Sequence, residues 1–124
     1  MKVCVTATQG SLEAGVDPRF GRCAFFMVVD TKTMEFTAIP NENAQAGGGA
    51  GIRAGQLIAD QGAEAVLTGN VGPNAYQTLQ AAGIAVITGV SGSVKEAVAR
   101  YQKGELKSTD SPNVQSHFGI GRNS

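Results

Sequence analysis

A chain of 124 residues suits one domain with a single core, and ten Lys and Arg set against ten Asp and Glu leave no formal net charge. That balance removes the global field that draws proteins to nucleic acid or anionic membranes, and the absence of Trp leaves few stacking platforms for single strands. With no apolar run approaching the ~20 residues of a membrane span and no signal-peptide pattern after Met1, neither nucleic acid nor membrane is an expected partner, and the expected location is cytoplasmic.

In chain order, Lys2 to Ala7 reads as a first strand. Ala24 to Asp30, dense in Phe25, Phe26, Val28 and Val29, reads as a second. Asp30 to Met34 is short and polar, so Glu35 to Pro40 is expected to return antiparallel and close a hairpin. Beyond Asn41 to Gly49 the spacing turns helical, with Ala54, Leu57 and Ile58 on one face and Gly62 as the stop. A strand over Ala65 to Thr68 follows. Pro73 then opens a helix with an apolar stripe of Ala75, Leu79 and Ala82, and Gly83 ends it before a strand over Ile84 to Thr88. Ser93 and Glu96 form a capping box for a third helix, whose core face is Val94, Ala97, Val98 and Tyr101 and whose stop is Gly104. Three strands followed by alternating helix and strand predict an α/β fold: a three-layer sandwich on a mixed five-stranded sheet with one antiparallel strand. The domain is expected over 1–104, and 105–124 as a polar, partly flexible C-terminal tail.

The run Val16-Asp17-Pro18-Arg19-Phe20-Gly21-Arg22-Cys23 sets two permanently charged forks, a glycine hinge and a thiol at the entrance to the second strand. Arg19 and Arg22 either receive an anion or pair with surface carboxylates while Gly21 shapes a turn. Cys23 is a candidate soft ligand or a small buried hydrophobe, whereas Cys4, inside a strand, reads as structural. Neither cysteine belongs to a CxxC pair, which excludes a zinc ribbon or a four-cysteine cluster site within one chain.

Gly47-Gly48-Gly49-Ala50-Gly51-Ile52-Arg53 runs into a helix, where backbone N–H groups and the positive end of the dipole suit an anion; a plain linker is the competing reading. No Gly-Lys-Ser or Gly-Lys-Thr follows, so P-loop chemistry is disfavoured. Asn70, Gly72 and Asn74 lie in a similar strand-to-helix turn, where the asparagines orient a ligand or cap the turn. His117, the single histidine, is a candidate metal ligand if the tail folds over the mouth of the sheet and a solvated side chain otherwise. No serine-histidine-acid spacing, HExxH motif or carboxylate pair on successive strand ends is present, so no enzyme mechanism is expected.

Four ordered segments resemble the dinitrogenase iron-molybdenum cofactor biosynthesis family of small NifX/NifB-like domains: Val16 to Arg22 before a strand, Gly48 to Gly51 opening a helix, Gly69-Asn70-Val71-Gly72-Pro73-Asn74-Ala75, and Gly89-Val90-Ser91-Gly92-Ser93-Val94. The resemblance implies a ribonuclease-H-like α/β/α fold and the binding, storage or carriage of metal-sulfur clusters rather than catalysis. Within the family, the chain is most similar to a stand-alone branch that carries a molybdenum-copper sulfide cluster without covalent attachment. An iron-sulfur or iron-molybdenum cofactor precursor is the alternative cargo, and a partner ATPase or a cluster-receiving protein is an expected partner. Such a cluster is anionic and brings its own sulfide. Arg19, Arg22 and Arg53 would balance its charge, and the amides of Gly48, Gly49, Gly51 and Gly72 would bond its sulfides. Phe20 or Ile52 would cover an apolar face, with Asn70 and Asn74 nearby and Cys23 and His117 as optional direct metal ligands. Two other classes stay open: a metal-free interaction module whose loops bind a protein, and a phosphate- or nucleotide-binding enzyme using Gly47 to Gly51.

Overall fold

The computed structural model describes residues 1–42 and 49–108. Its elements are β1 (Lys2–Ala7), β2 (Phe25–Asp30), β3 (Phe36–Pro40), α1 (Ala50–Asp60), β4 (Ala65–Leu67), α2 (Pro73–Ala81), β5 (Ala85–Ile87) and α3 (Val94–Gln102). The five strands form one open sheet in the order β3-β2-β1-β4-β5. β1 runs parallel to β4 and β4 to β5, while β2 pairs antiparallel with both β1 and β3. β2 is therefore the single antiparallel strand of a mixed sheet, as expected.

Side-chain alternation along β1 explains the three layers. Val3, Val5 and Ala7 point to one face and pack with Val94, Ala97 and Val98 of α3. Cys4 points to the other face, among Phe26, Val66 and Val86 and against Ile58 of α1 and Leu79 of α2. Past the exposed Lys2, β1 and β4 are buried on both sides, and two polar side chains there, Thr6 of β1 and Thr68 just after β4, are fully buried and bonded to each other at 2.7 Å. α3 begins with the predicted capping box: the Glu96 backbone N–H donates to Ser93 Oγ at 3.1 Å, and the Ser93 N–H donates to Glu96 Oε1 at 3.0 Å.

Several expected boundaries shift. β2 starts at Phe25 and β3 at Phe36, and β5 keeps only Ala85–Ile87, because its pairing with β4 spans those three positions alone. Ala82 is the exposed C-cap of α2, so the buried stripe of this helix is Ala75 and Leu79 alone. Leu106 packs against the α3 layer, so the chain just past residue 104 still touches the core. Residues 109–124, including His117, and residues 43–48, including Gly47 and Gly48, lie outside the described residues.

Parallel strands place their carboxyl ends at a single edge, and the antiparallel β2 starts there. The segment between β1 and β2, the turns after β4 and β5, and the start of α1 therefore gather at one end of the sheet.

Candidate functional site

Asp17 organises the loop between β1 and β2. It is 1% exposed, its backbone N–H donates to Thr6 O at 2.8 Å, and its carbonyl accepts from Thr6 Oγ1 at 2.6 Å. Its carboxylate accepts from the Arg19 backbone N–H at 3.1 Å, from Arg19 Nε at 3.0 Å and from Arg19 Nη2 at 3.1 Å. Burial by itself raises the Asp17 carboxyl, but these bonds, the guanidinium charge and a further bond from the Ala24 backbone outweigh it and hold the group below its ordinary range. The Arg19 fork is thus committed to a carboxylate of its own loop, a buried one where the pairing reading expects a surface carboxylate.

The same loop is fastened to the β4–α2 turn. Phe20 N–H donates to Asn70 O at 3.2 Å, and Asn70 returns its backbone N–H to Pro18 O at 2.8 Å and its Nδ2 to the same oxygen at 3.2 Å. The approach is close enough that a Cβ on Gly69 would stand 2.6 Å from Pro18 Cα. On the other side, Asn41 Nδ2 donates to Gly21 O at 3.0 Å and to Cys23 O at 2.9 Å. Gly21 adopts φ +87°, and a Cβ there would lie 3.2 Å from Gly51 Cα. Only a glycine lets this backbone turn left-handed while touching the first turn of α1.

α1 and α2 start side by side, since a Cβ on Gly51 would meet Ala75 Cβ at 3.0 Å. Among the described residues neither helix has a side-chain N-cap bond or an acidic residue in its first turn. Their leading N–H groups, from Ala50, Gly51 and Ile52 and from Asn74 and Ala75, face the same edge, where helix termini carry positive partial charge. Arg53 sits in the first turn of α1, with its guanidinium about Gly49: Cζ is 3.8 Å from the position of a Cβ there. Arg22, Ile52, Arg53, Asn70 and Asn74 are exposed, and Gly72 is half-buried as the N-cap of α2.

Two predicted site residues face inward instead. Phe20 stacks edge-on against Phe26 with ring centroids 6.1 Å apart, which leaves Ile52, 38% exposed, as the apolar group at the surface. Cys23 is fully buried, and burial, followed by the Asp17 charge, pushes its thiol up to about 12. Such a thiol stays protonated and turned into the helix-facing core. Cys4 is also fully buried, and its thiol is raised by burial and then by Cys23. The structure therefore joins Arg19, Gly21, Arg22, Gly49, Gly51, Ile52, Arg53, Asn70, Gly72 and Asn74 at one edge. Sequence reasoning missed Thr6, Thr68 and Asn41, and took Asp17 as part of a motif without a role. A polar residue at the end of an apolar strand was the available signal for Thr6 and Thr68.

The family model described as dinitrogenase iron-molybdenum cofactor matches residues 1–104. Among solved structures, the chain is similar to the apo form of the orange protein from Desulfovibrio gigas, with 44% identity and a TM-score of 0.87 over 90% of this chain and 95% of that one. It is also similar to a candidate NifB protein from Thermotoga, with 32% identity and a TM-score of 0.75 over 86% and 91% of the two chains. An uncharacterised protein of Methanocaldococcus jannaschii is 32% identical over 95 residues, which cover 74% of this chain and 80% of that protein. Because the family match takes in every described strand and helix, the chain belongs to the dinitrogenase iron-molybdenum cofactor family.

Proposed function

We propose that this protein binds and carries an anionic metal-sulfur cluster without transforming it, at the edge where the first turns of α1 and α2 meet the loop from Arg19 to Arg22. The observation that carries the reading is the placement of Arg53. A cation in the first turn of a helix opposes the dipole. Here it stands beside two helix starts that have no side-chain cap among the described residues. An anion held above them removes both conflicts.

The donor set supports one kind of metal species. This edge offers N–H groups and guanidinium, which bind anions, and among the described residues no group of three or more His, Cys, Asp or Glu stands ready for a bare metal ion. A cluster that brings its own sulfide shell matches those donors. The finer assignment to a molybdenum-copper sulfide cluster rests on the sequence resemblance and on the likeness to the orange protein, with an iron-molybdenum cofactor precursor as the alternative. A cytoplasmic carrier that hands its cargo to a receiving protein or a partner ATPase completes the proposal. Among the described residues no helix is long and apolar enough to cross a membrane.

The test is reconstitution of metal-free protein, prepared without oxygen, with tetrathiomolybdate and copper(I), followed by elemental analysis and an absorption spectrum. Stoichiometric molybdenum and copper with new charge-transfer bands are expected. The Arg22→Gln/Arg53→Gln variant, folded by circular dichroism, should bind about tenfold more weakly or worse. Cys23→Ala should retain the cluster, because its thiol is buried and protonated. Full retention by the double arginine variant would sink this placement, and so would loss in Cys23→Ala. Uptake of iron in place of copper and molybdenum would select the alternative cargo, and binding of ATP or phosphate alone at the same edge would favour a nucleotide-binding role.

A further inference from the structure

We propose that Asn41 is a positioning residue for the cargo site: its side-chain amide holds the turn Gly21-Arg22-Cys23 and so keeps Arg22 beside the first turn of α1. The inference rests on the anion reading above and adds to it a residue that acts through Arg22. Asn41 Nδ2 donates to Gly21 O at 3.0 Å and to Cys23 O at 2.9 Å. An amide nitrogen carries two hydrogens, one for each carbonyl, and a carbonyl can only accept, so Nδ2 and not Oδ1 must face the turn. The two acceptors flank Arg22 in the chain. The Arg22 N–H closes the turn by donating to Arg19 O at 3.2 Å.

Both sides of this clamp are anchored. Asn41 follows β3 directly, where Pro40 pairs with Phe25 of β2, and its backbone N–H donates to Ala24 O at 2.9 Å. The donor therefore stands on the end of the sheet. On the far side, Gly21 at φ +87° brings the turn against α1, where an added Cβ would lie 3.2 Å from Gly51 Cα and 3.4 Å from Gly51 N. Gly21 and Cys23 are buried, while Arg22 between them is exposed. Two inward residues held by one amide fix the root of Arg22 at the surface, one residue from the contact with the helix whose first turn also carries Arg53.

Arg19 and Arg22 are thus set by different devices. Asp17, two residues away and 1% exposed, takes the Arg19 fork. The Arg22 turn is held from a distance in the chain, by a residue 20 positions from Gly21 and 18 from Cys23. Fixing the root matters because a long side chain on a loose loop loses conformational freedom when an anion orders it, and an ordered root reduces that loss. Truncating Asn41 leaves two carbonyls of buried residues without this donor, which favours a turn lifted from α1 toward water.

A double-mutant cycle on metal-free protein, prepared without oxygen and titrated with tetrathiomolybdate and copper(I), tests the proposal. Asn41→Ala should weaken uptake about tenfold in the parent chain and less than about twofold in Arg22→Gln, because no guanidinium is left there to position. Circular dichroism and thermal melting check that each variant is folded at the titration temperature. If Asn41→Ala does not fold, Asn41→Ser replaces it in the same cycle, since one hydroxyl donor cannot hold both carbonyls. A residue that only supports the fold would lower uptake by the same factor with or without Arg22, and that result would overturn the proposal. So would unchanged uptake by Asn41→Ala while Arg22→Gln binds more weakly than the parent, an outcome that leaves the anion reading intact. Uptake unchanged by Arg22→Gln alone would also overturn it, since no contact would remain to be positioned. The anion reading itself fails on a different observation, full retention by the Arg22→Gln/Arg53→Gln variant.

Discussion

Asp17 acts on the loop through bonds that converge on one buried carboxylate: the Arg19 backbone and guanidinium from one side and the Ala24 backbone from the other. Because its folded-state pKa lies below the unfolded value of about 3.9, the ionised form is favoured by folding. That contribution is complete above the unfolded pKa and disappears as the pH falls through the lower folded value. We expect Asp17→Asn to be less stable than the parent at neutral pH, with the gap closing as the solution is acidified from about pH 5 to pH 2. Chemical denaturation across that range measures it; a gap independent of pH would show that the carboxylate charge contributes nothing. In sequence, an acid two residues before an arginine looks the same whether it is a solvated surface pair or a buried organiser. The motif was therefore legible while the role of Asp17 within it was not. Cys23 shows the same limit, since nothing local to Arg22-Cys23-Ala24 tells whether the thiol faces the loops or the core.

Among the elements, periodicity and end signals carried the reading well. The β1 bounds, the β2–β3 hairpin, the Ser93–Glu96 capping box and the glycine stops of all three helices follow from local pattern. Short strands were the weak point: β5 keeps three residues because its length is set by pairing with β4 and not by its own apolar run. The site is harder to read for a related reason. Pro18 against Gly69, and Gly21 against Gly51, are contacts between segments far apart in the chain, and no local signal specifies them. They are nevertheless what brings three glycine-bearing segments, the β1–β2 loop, the turn after β4 and the start of α1, to one edge. Gly69→Ala should accordingly cost about 1–3 kcal/mol, because a Cβ at 2.6 Å from Pro18 Cα forces backbone to move. It should also lower cluster uptake, by displacing the loop that holds Arg19 and Arg22. Gly72→Ala is the control: a Cβ there meets nothing within 4 Å and φ is −82°, so thermal melting should barely change. Equal melting shifts in the two variants would contradict the clamp.

For the whole molecule, a formal net charge of zero hides a local arrangement. Helix starts and exposed arginines collect at the carboxyl-end edge because β1, β4 and β5 are parallel, and the chain order that predicted an α/β sandwich also dictates that gathering. The most direct test of the central claim is amide chemical-shift mapping of the metal-free protein during titration with tetrathiomolybdate and copper(I). The largest shifts should fall at Gly49 to Arg53, at Gly72, Asn74 and Ala75, and at Arg19 to Arg22. Shifts concentrated instead at the opposite end of the sheet, around Asp30 to Glu35, or on the exposed face of α3, would contradict an anion site built on the first turns of α1 and α2.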